Sequence, residues 1–242
     1  MTWIEWRTYF ERNQTRPLPE LPPAAVAALT PQARAQLAWS LARFQLGESG
    51  EGRIARRIYD VCLPGIDDDY RRVVGLFVKE EGRHARILAH LVRRLGGRLI
   101  TKTWTRGLFV RARRLGGVRG KLLVLHAAEV IGSGFYDALA SGVASGPLRA
   151  ALEQIRDDER AHLRFHRDFF AAQAPAGWRR GLFIASWGLV AIPSASVVLW
   201  DHRLTLRTLG IPLRRVIASL AALIVEGGRR APTQEPWRLA AA

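Results

Sequence analysis

The chain has 242 residues, 48% of them hydrophobic, enough to bury one sizeable core. Its single cysteine, Cys62, excludes an internal disulfide framework and any cysteine-ligated zinc or iron–sulfur centre. The formal charge of +16 is almost entirely arginine, with lysine only at positions 79, 102 and 121; guanidinium forks match phosphate oxygens, so an anionic membrane surface or a nucleic acid is the partner the charge suggests, against the plain alternative of solvated arginine-rich faces.

Residues 1–30 carry acidic residues early and lack an apolar run before a small-residue cleavage site, so no secretory signal and a cytoplasmic location are expected. They end in the Pro-rich "PLPELPPAA", which predicts an irregular lead-in. Thr30 offers an N-cap and Pro31 a first helical position, opening a helix to about Cys62. "LPGIDDDY" supplies a turn with its own capping acids, and a second helix follows to about Leu95, stopped by Gly96 and Gly97. Residues 98–118 form a basic, partly apolar connection; a third helix is expected over 119–143 and, after "ASGP", a fourth over 148–173. No stretch alternates as a strand would, so the expected class is all-α: a four-helix bundle over 31–173 followed by an apolar and basic helical extension over 174–242.

The second helix contains "FVKEEGRHARIL", in which Glu81 and His84 are three residues apart and therefore point the same way. Val73, Val74, Phe77, Leu88, Leu91 and Leu95 share their stripe, so both groups face a core. One such pair is ordinarily solvated, or a satisfied core histidine. A second copy, Glu159 and His162 in "RDDERAHLRFH", is flanked at helical spacing by Leu152, Ile155, Phe165 and Phe169. Glu48 lies on a stripe with Leu37, Leu41, Phe44, Ala55 and Ile58, and Glu129 on one with Leu122, Leu125 and Tyr136. Four carboxylates and two imidazoles thus converge inside one bundle, in the order Glu, Glu-x-x-His, Glu, Glu-x-x-His. Burying unpaired carboxylates costs several kcal/mol each, which a cation cluster relieves; a buried structural polar network is the alternative.

This ordered set resembles the ferritin-like di-iron carboxylate superfamily, in which two helices give one Glu each and two give a Glu-x-x-His. "LGESGEGRIARRIY" looks like the first ligand helix of rubrerythrins and di-iron quinone hydroxylases, and "AEVIGSGFYDAL" with "RDDERAHLRFH" looks like the second half of the aldehyde-deformylating oxygenases. The resemblance implies that Glu81 and Glu159 bridge or chelate two irons, that His84 and His162 each ligate one, and that Glu48 and Glu129 are terminal ligands, these six forming the catalytic set. Manganese suits the same donors. Glu51, one turn beyond Glu48, is an alternative first ligand or a neighbour. His126, Tyr136 and Asp158 are further candidates around the site, Asp158 as the partner of a histidine's second nitrogen. Glu80 is expected to face solvent.

Residues 181–200, "GLFIASWGLVAIPSASVVLW", carry no charge over a length that matches a bilayer core, with Trp187 and Trp200 suited to an interface. Arginines stand on both sides, at 179, 180, 203 and 207, so a segment lying on an anionic leaflet is expected rather than a span. "VIASLAALIV" (216–225) and "RGLFVRARR" (106–114) would lie there with it. Two further helices packed on the bundle or on a second subunit are the alternative. The expected function is a dioxygen-activating oxidoreductase, a monooxygenase fed by an external electron donor, that oxidises a lipophilic substrate such as a quinone precursor or acyl chain at a membrane. A di-iron tRNA hydroxylase would give the basic surface a phosphate partner. A ferritin- or rubrerythrin-like iron-binding or peroxide-reducing protein, as a homo-oligomer, is the third option, although rubredoxin-type Cys pairs are missing.

Overall fold

A computed structural model describes residues 1–49, 61, 63, 66–112, 117–173 and 177–229. Among them are eight α-helices, one 3-10 turn and no strand. In chain order they are α1 (Trp3–Gln14), α2 (Pro31–Glu48), α3 (Asp68–Arg94), α4 (Trp104–Ala112), α5 (Gly117–Ser141), α6 (Pro147–Gln173), α7 (Trp178–Thr208) and α8 (Leu213–Gly228), with the 3-10 turn at Pro23–Val26. The all-α class follows from the sequence and is what the chain forms.

Local chemistry sets the helix ends. The Thr30 hydroxyl accepts from the Ala33 amide with Pro31 at the first position, and the Asp67 carboxylate accepts from the Tyr70 amide at 2.7 Å. Gly96 adopts φ +80° immediately after α3, a conformation that stops the helix at little cost to glycine. The helix expected to run to about Cys62 is described as far as Glu48; Glu51, Ala55, Ile58 and Cys62 lie outside the described residues.

Two hairpins, α2–α3 and α5–α6, pack together through α3 and α6, and their buried stripes form the centre of the molecule. The residues 1–30, expected to be irregular, are so only in part. Thr2 and Glu5 form a reciprocal capping box that starts α1, and the Pro-rich segment begins only at residue 17. Trp6 and Phe10 are fully buried, and α1 packs along α3. The Trp6 indole donates to Asp168 on α6 at 2.9 Å, so α1 packs against both α3 and α6.

The extension after α6 is also packed. One stripe of α7 (Trp187, Ala191, Ala195, Val198, His202) faces α5 and α2, and α8 lies against α5 and α7. Ser40 and His202 Nδ1 are 2.6 Å apart, and the Trp187 indole donates to the Ile224 carbonyl at 2.8 Å. Gly134 permits the close approach of α8, since a Cβ there would stand 2.6 Å from Leu220 Cδ2. Among the described residues, two helices are long and apolar enough to cross a membrane: α5, whose most apolar 18-residue stretch is 89% buried in the bundle, and α7, where the figure is 22%.

Candidate metal centre

The helices deliver Glu81 and His84 from α3, Glu129 from α5 and Glu159 and His162 from α6 to one buried point, each at most 2% exposed. Glu48, half-buried at the end of α2, faces Glu81 and accepts a hydrogen bond from the Tyr136 hydroxyl at 2.8 Å. All six residues predicted to converge are therefore adjacent. His84 Nδ1 lies 3.1 Å from Glu159 Oε1, and His162 Nδ1 lies 2.9 Å from Glu81 Oε1 and 3.2 Å from Glu129 Oε2. Glu81, His84, Glu159 and His162 each offer one donor atom within 4.8 Å of the others, a spread one ion can span.

The donor set fits a metal for a further reason. His84 Nδ1, Glu81 Oε1 and Glu159 Oε1 are buried without a geometrically sound hydrogen bond, although they approach one another closely. Such atoms pointing at a common centre are what a cation would satisfy; left alone, each costs about 1–3 kcal/mol. Oxygen and imidazole donors without sulfur suit iron or manganese.

Outside the cluster, the two histidines are held by a reciprocal exchange. His84 Nε2 is 3.2 Å from Asp158 Oδ2, and His162 Nε2 is 2.9 Å from Glu80 Oε2. Each acid directly precedes the cluster glutamate of one helix and holds the histidine of the other. Arg16, just beyond α1, closes the arrangement, reaching Glu80 Oε1 at 3.2 Å and Asp158 Oδ1 at 2.5 Å. Glu80 thus corrects the sequence reading: it is 2% exposed, because α1 and the residues after it cover the face that an isolated four-helix bundle would leave in water. The acidic doublets Glu80-Glu81 and Asp158-Glu159 were the available signal. Nothing periodic marks Arg16.

Asp158 occupies the position considered for it, and Tyr136 touches the cluster through Glu48. His126 does not join it: its Nε2 meets the Gly227 carbonyl at 3.3 Å and its ring lies on Trp187. Burial and the neighbouring His166 push its pKa down to about 3. His166, one turn after His162, was not singled out from sequence; its Nε2 is 3.8 Å from Glu129 Oε1 and both its nitrogens are unpartnered.

Electrostatics follow from burial of like charges. Burial and Glu129 push Glu159 up to about 8, and burial with Glu81 holds Glu48 well above the ordinary carboxylate value. Burial opposes the charged imidazoles, but Asp158 and Glu159 raise His84, and Glu81, Glu129, Glu159 and Glu80 raise His162. Burial likewise opposes ionisation of Glu129, yet its interactions with Glu159, His162 and the nearby His166 hold it well below the ordinary carboxylate value. Without a cation, these acids and imidazoles can lie together only by sharing protons.

A cavity of about 140 Å³ reaches the cluster: Glu48, Glu81, Glu129 and Glu159 line it together with Phe44, Leu125, Ile131 and Val198. Comparison with protein-family models, curated proteins and solved structures returned no match.

Two outcomes are expected. A metal must displace protons from Glu159 and the two imidazoles, so apparent affinity falls as pH drops below about 8, and calorimetric titrations near pH 7 in buffers of different ionisation enthalpy reveal proton release on binding. Arg16→Met leaves Glu80 and Asp158 facing each other without their shared cation; metal affinity falls roughly 10–100-fold, read by competition with a chelator, while helical circular dichroism is retained.

Proposed function

We propose that the chain is a di-iron oxidoreductase of the ferritin-like carboxylate type that activates dioxygen to oxidise a lipophilic substrate at a membrane surface. One observation carries the reading: four carboxylates and two imidazoles, in the ordered set of that superfamily, cluster together, and the four carboxylates line a largely apolar cavity. Glu48, Glu81, Glu129, Glu159, His84 and His162 would hold the ions. When bound, such a pair supplies redox chemistry and open positions for dioxygen. The protein's own part is to set and insulate the site. Asp158 and Glu80 fix the two imidazole rings, and Phe10 and Phe77, packed on His162, keep water from its far side.

The membrane part rests on α7. Its buried stripe leaves Leu182, Leu189, Ile192, Trp200 and Leu204 exposed along the opposite side, Leu189 at 78%. Trp104 and Leu108 of α4 are exposed too, and the Trp104 indole donates to Asp201 of α7, joining the two surfaces. Apolar residues exposed over a long helix and flanked by Arg179, Arg203 and Arg207 match a helix lying in an anionic interface. A lipophilic substrate is favoured over tRNA because the cavity wall and α7 are apolar, whereas phosphate binding would not need either.

Elemental analysis of protein from the membrane and soluble fractions tests the centre: about two irons per chain are expected, lost in Glu129→Ala and His162→Ala. Absence of bound transition metal after anaerobic ferrous loading would sink the proposal. Leu189→Asp with Ile192→Asp should abolish co-sedimentation with anionic vesicles and leave metal content unchanged; undiminished vesicle binding would refute docking through α7.

A further inference from the structure

The cavity is lined by basic as well as acidic groups. Two guanidinium groups, Arg43 and Arg106, line it and are only half-buried, in contrast to the buried Glu81, Glu129 and Glu159. They are not equivalent. Arg43 is committed: it pairs with Asp201 at 3.4 Å and lies 3.4 Å over the Trp39 ring. Asp201 is further occupied by the Trp104 indole. Arg106, on α4, forms no ion pair among the described residues, and no carboxylate there lies within ion-pair reach of it. Beside it stand the Thr103 and Thr105 hydroxyls and the apolar side chains of Phe109 and Val110.

Resting on the lipophilic-substrate reading above, we infer that Arg106 is the subsite for an anionic head group, and that the substrate class is an amphiphilic carboxylic acid that enters the cavity with its apolar end first. The orientation follows from exposure and wall polarity. Arg106 is half-buried and, among the described residues, has no ion-pair partner, so it offers an anion two parallel donors where solvent reaches, whereas Glu81, Glu129 and Glu159 at the cluster are at most 2% exposed. The apolar walls between them cover the body of the ligand. A cavity of about 140 Å³ compares with the roughly 150 Å³ space that accepts benzene, so about six carbons fit inside. The carbon delivered to the cluster is therefore remote from the carboxyl group.

Arg106 has one competing use, contact with the phosphates of a leaflet, since Trp104 and Leu108 on the same helix are exposed. The test separates the two. Octanoic acid, methyl octanoate and octylamine are titrated by calorimetry into the full-length chain, into Arg106→Gln, and into Val198→Trp, which fills the cavity from the α7 side. The acid is expected to bind roughly ten-fold or more tightly than the ester, and the amine most weakly. In Arg106→Gln the acid falls to the level of the ester, whose affinity is unchanged, and metal content stays at the wild-type value. Val198→Trp blocks acid and ester alike. Equal affinity for acid and ester in the wild type, both blocked by Val198→Trp, would overturn the anionic-head subsite and leave the lipophilic reading standing. No binding of any probe would overturn both. Loss of anionic-vesicle binding in Arg106→Gln with the acid preference intact would assign Arg106 to the leaflet and refute the inference.

Discussion

Burial of four carboxylates around two imidazoles is the constraint from which the rest of this structure follows. Ionised groups of like sign cannot share a low-dielectric interior unless protons or cations offset them. The protein offsets them in layers. The inner nitrogens of His84 and His162 face the cluster acids, their outer nitrogens meet Asp158 and Glu80, and Arg16 neutralises those two in turn. Each layer makes the next one necessary. A histidine held on both sides by carboxylates needs those carboxylates held as well.

That requirement explains why a four-helix bundle is not the whole fold. A bare bundle would leave Glu80 and Asp158 facing water, where they would orient the histidines weakly. α1 covers that side with Trp6 and Phe10 and leads Arg16 to the two acids. On another side, α4 and α7 help to line the cavity, so access to the cluster passes beside the helix with the most exposed apolar surface.

The inner part of this design was legible in the sequence because it is periodic. Glu81, His84, Glu159 and His162 sit on apolar stripes at helical spacing, and Glu48 and Glu129 recur at matching intervals, so facing alone predicted that they would meet. Helix ends were legible where Thr30, Pro31, Asp67 and Gly96 supply capping chemistry. The outer layer was not, because it depends on packing between segments far apart in the chain. Glu80 looks solvent-facing within its own helix and becomes buried only once α1 is placed. The capping box at Thr2 and Glu5 was a local signal for α1, outweighed by the prolines that follow it. Arg106 carries no pattern at all; its distinction is that its neighbour Arg43 already has a partner.

The exchange of acids between the two hairpins also bears on how such a centre can be divided. Glu80 belongs to the first hairpin and serves the histidine of the second, while Asp158 does the reverse. This is the isologous pattern expected of two identical units related by a two-fold axis, here written into one polypeptide, with Arg16 shared between the two acids. Neither half is self-sufficient: a hairpin expressed alone would carry a carboxylate with no imidazole to hold and an imidazole with no carboxylate to hold it. It could regain both only by pairing with a second copy of itself.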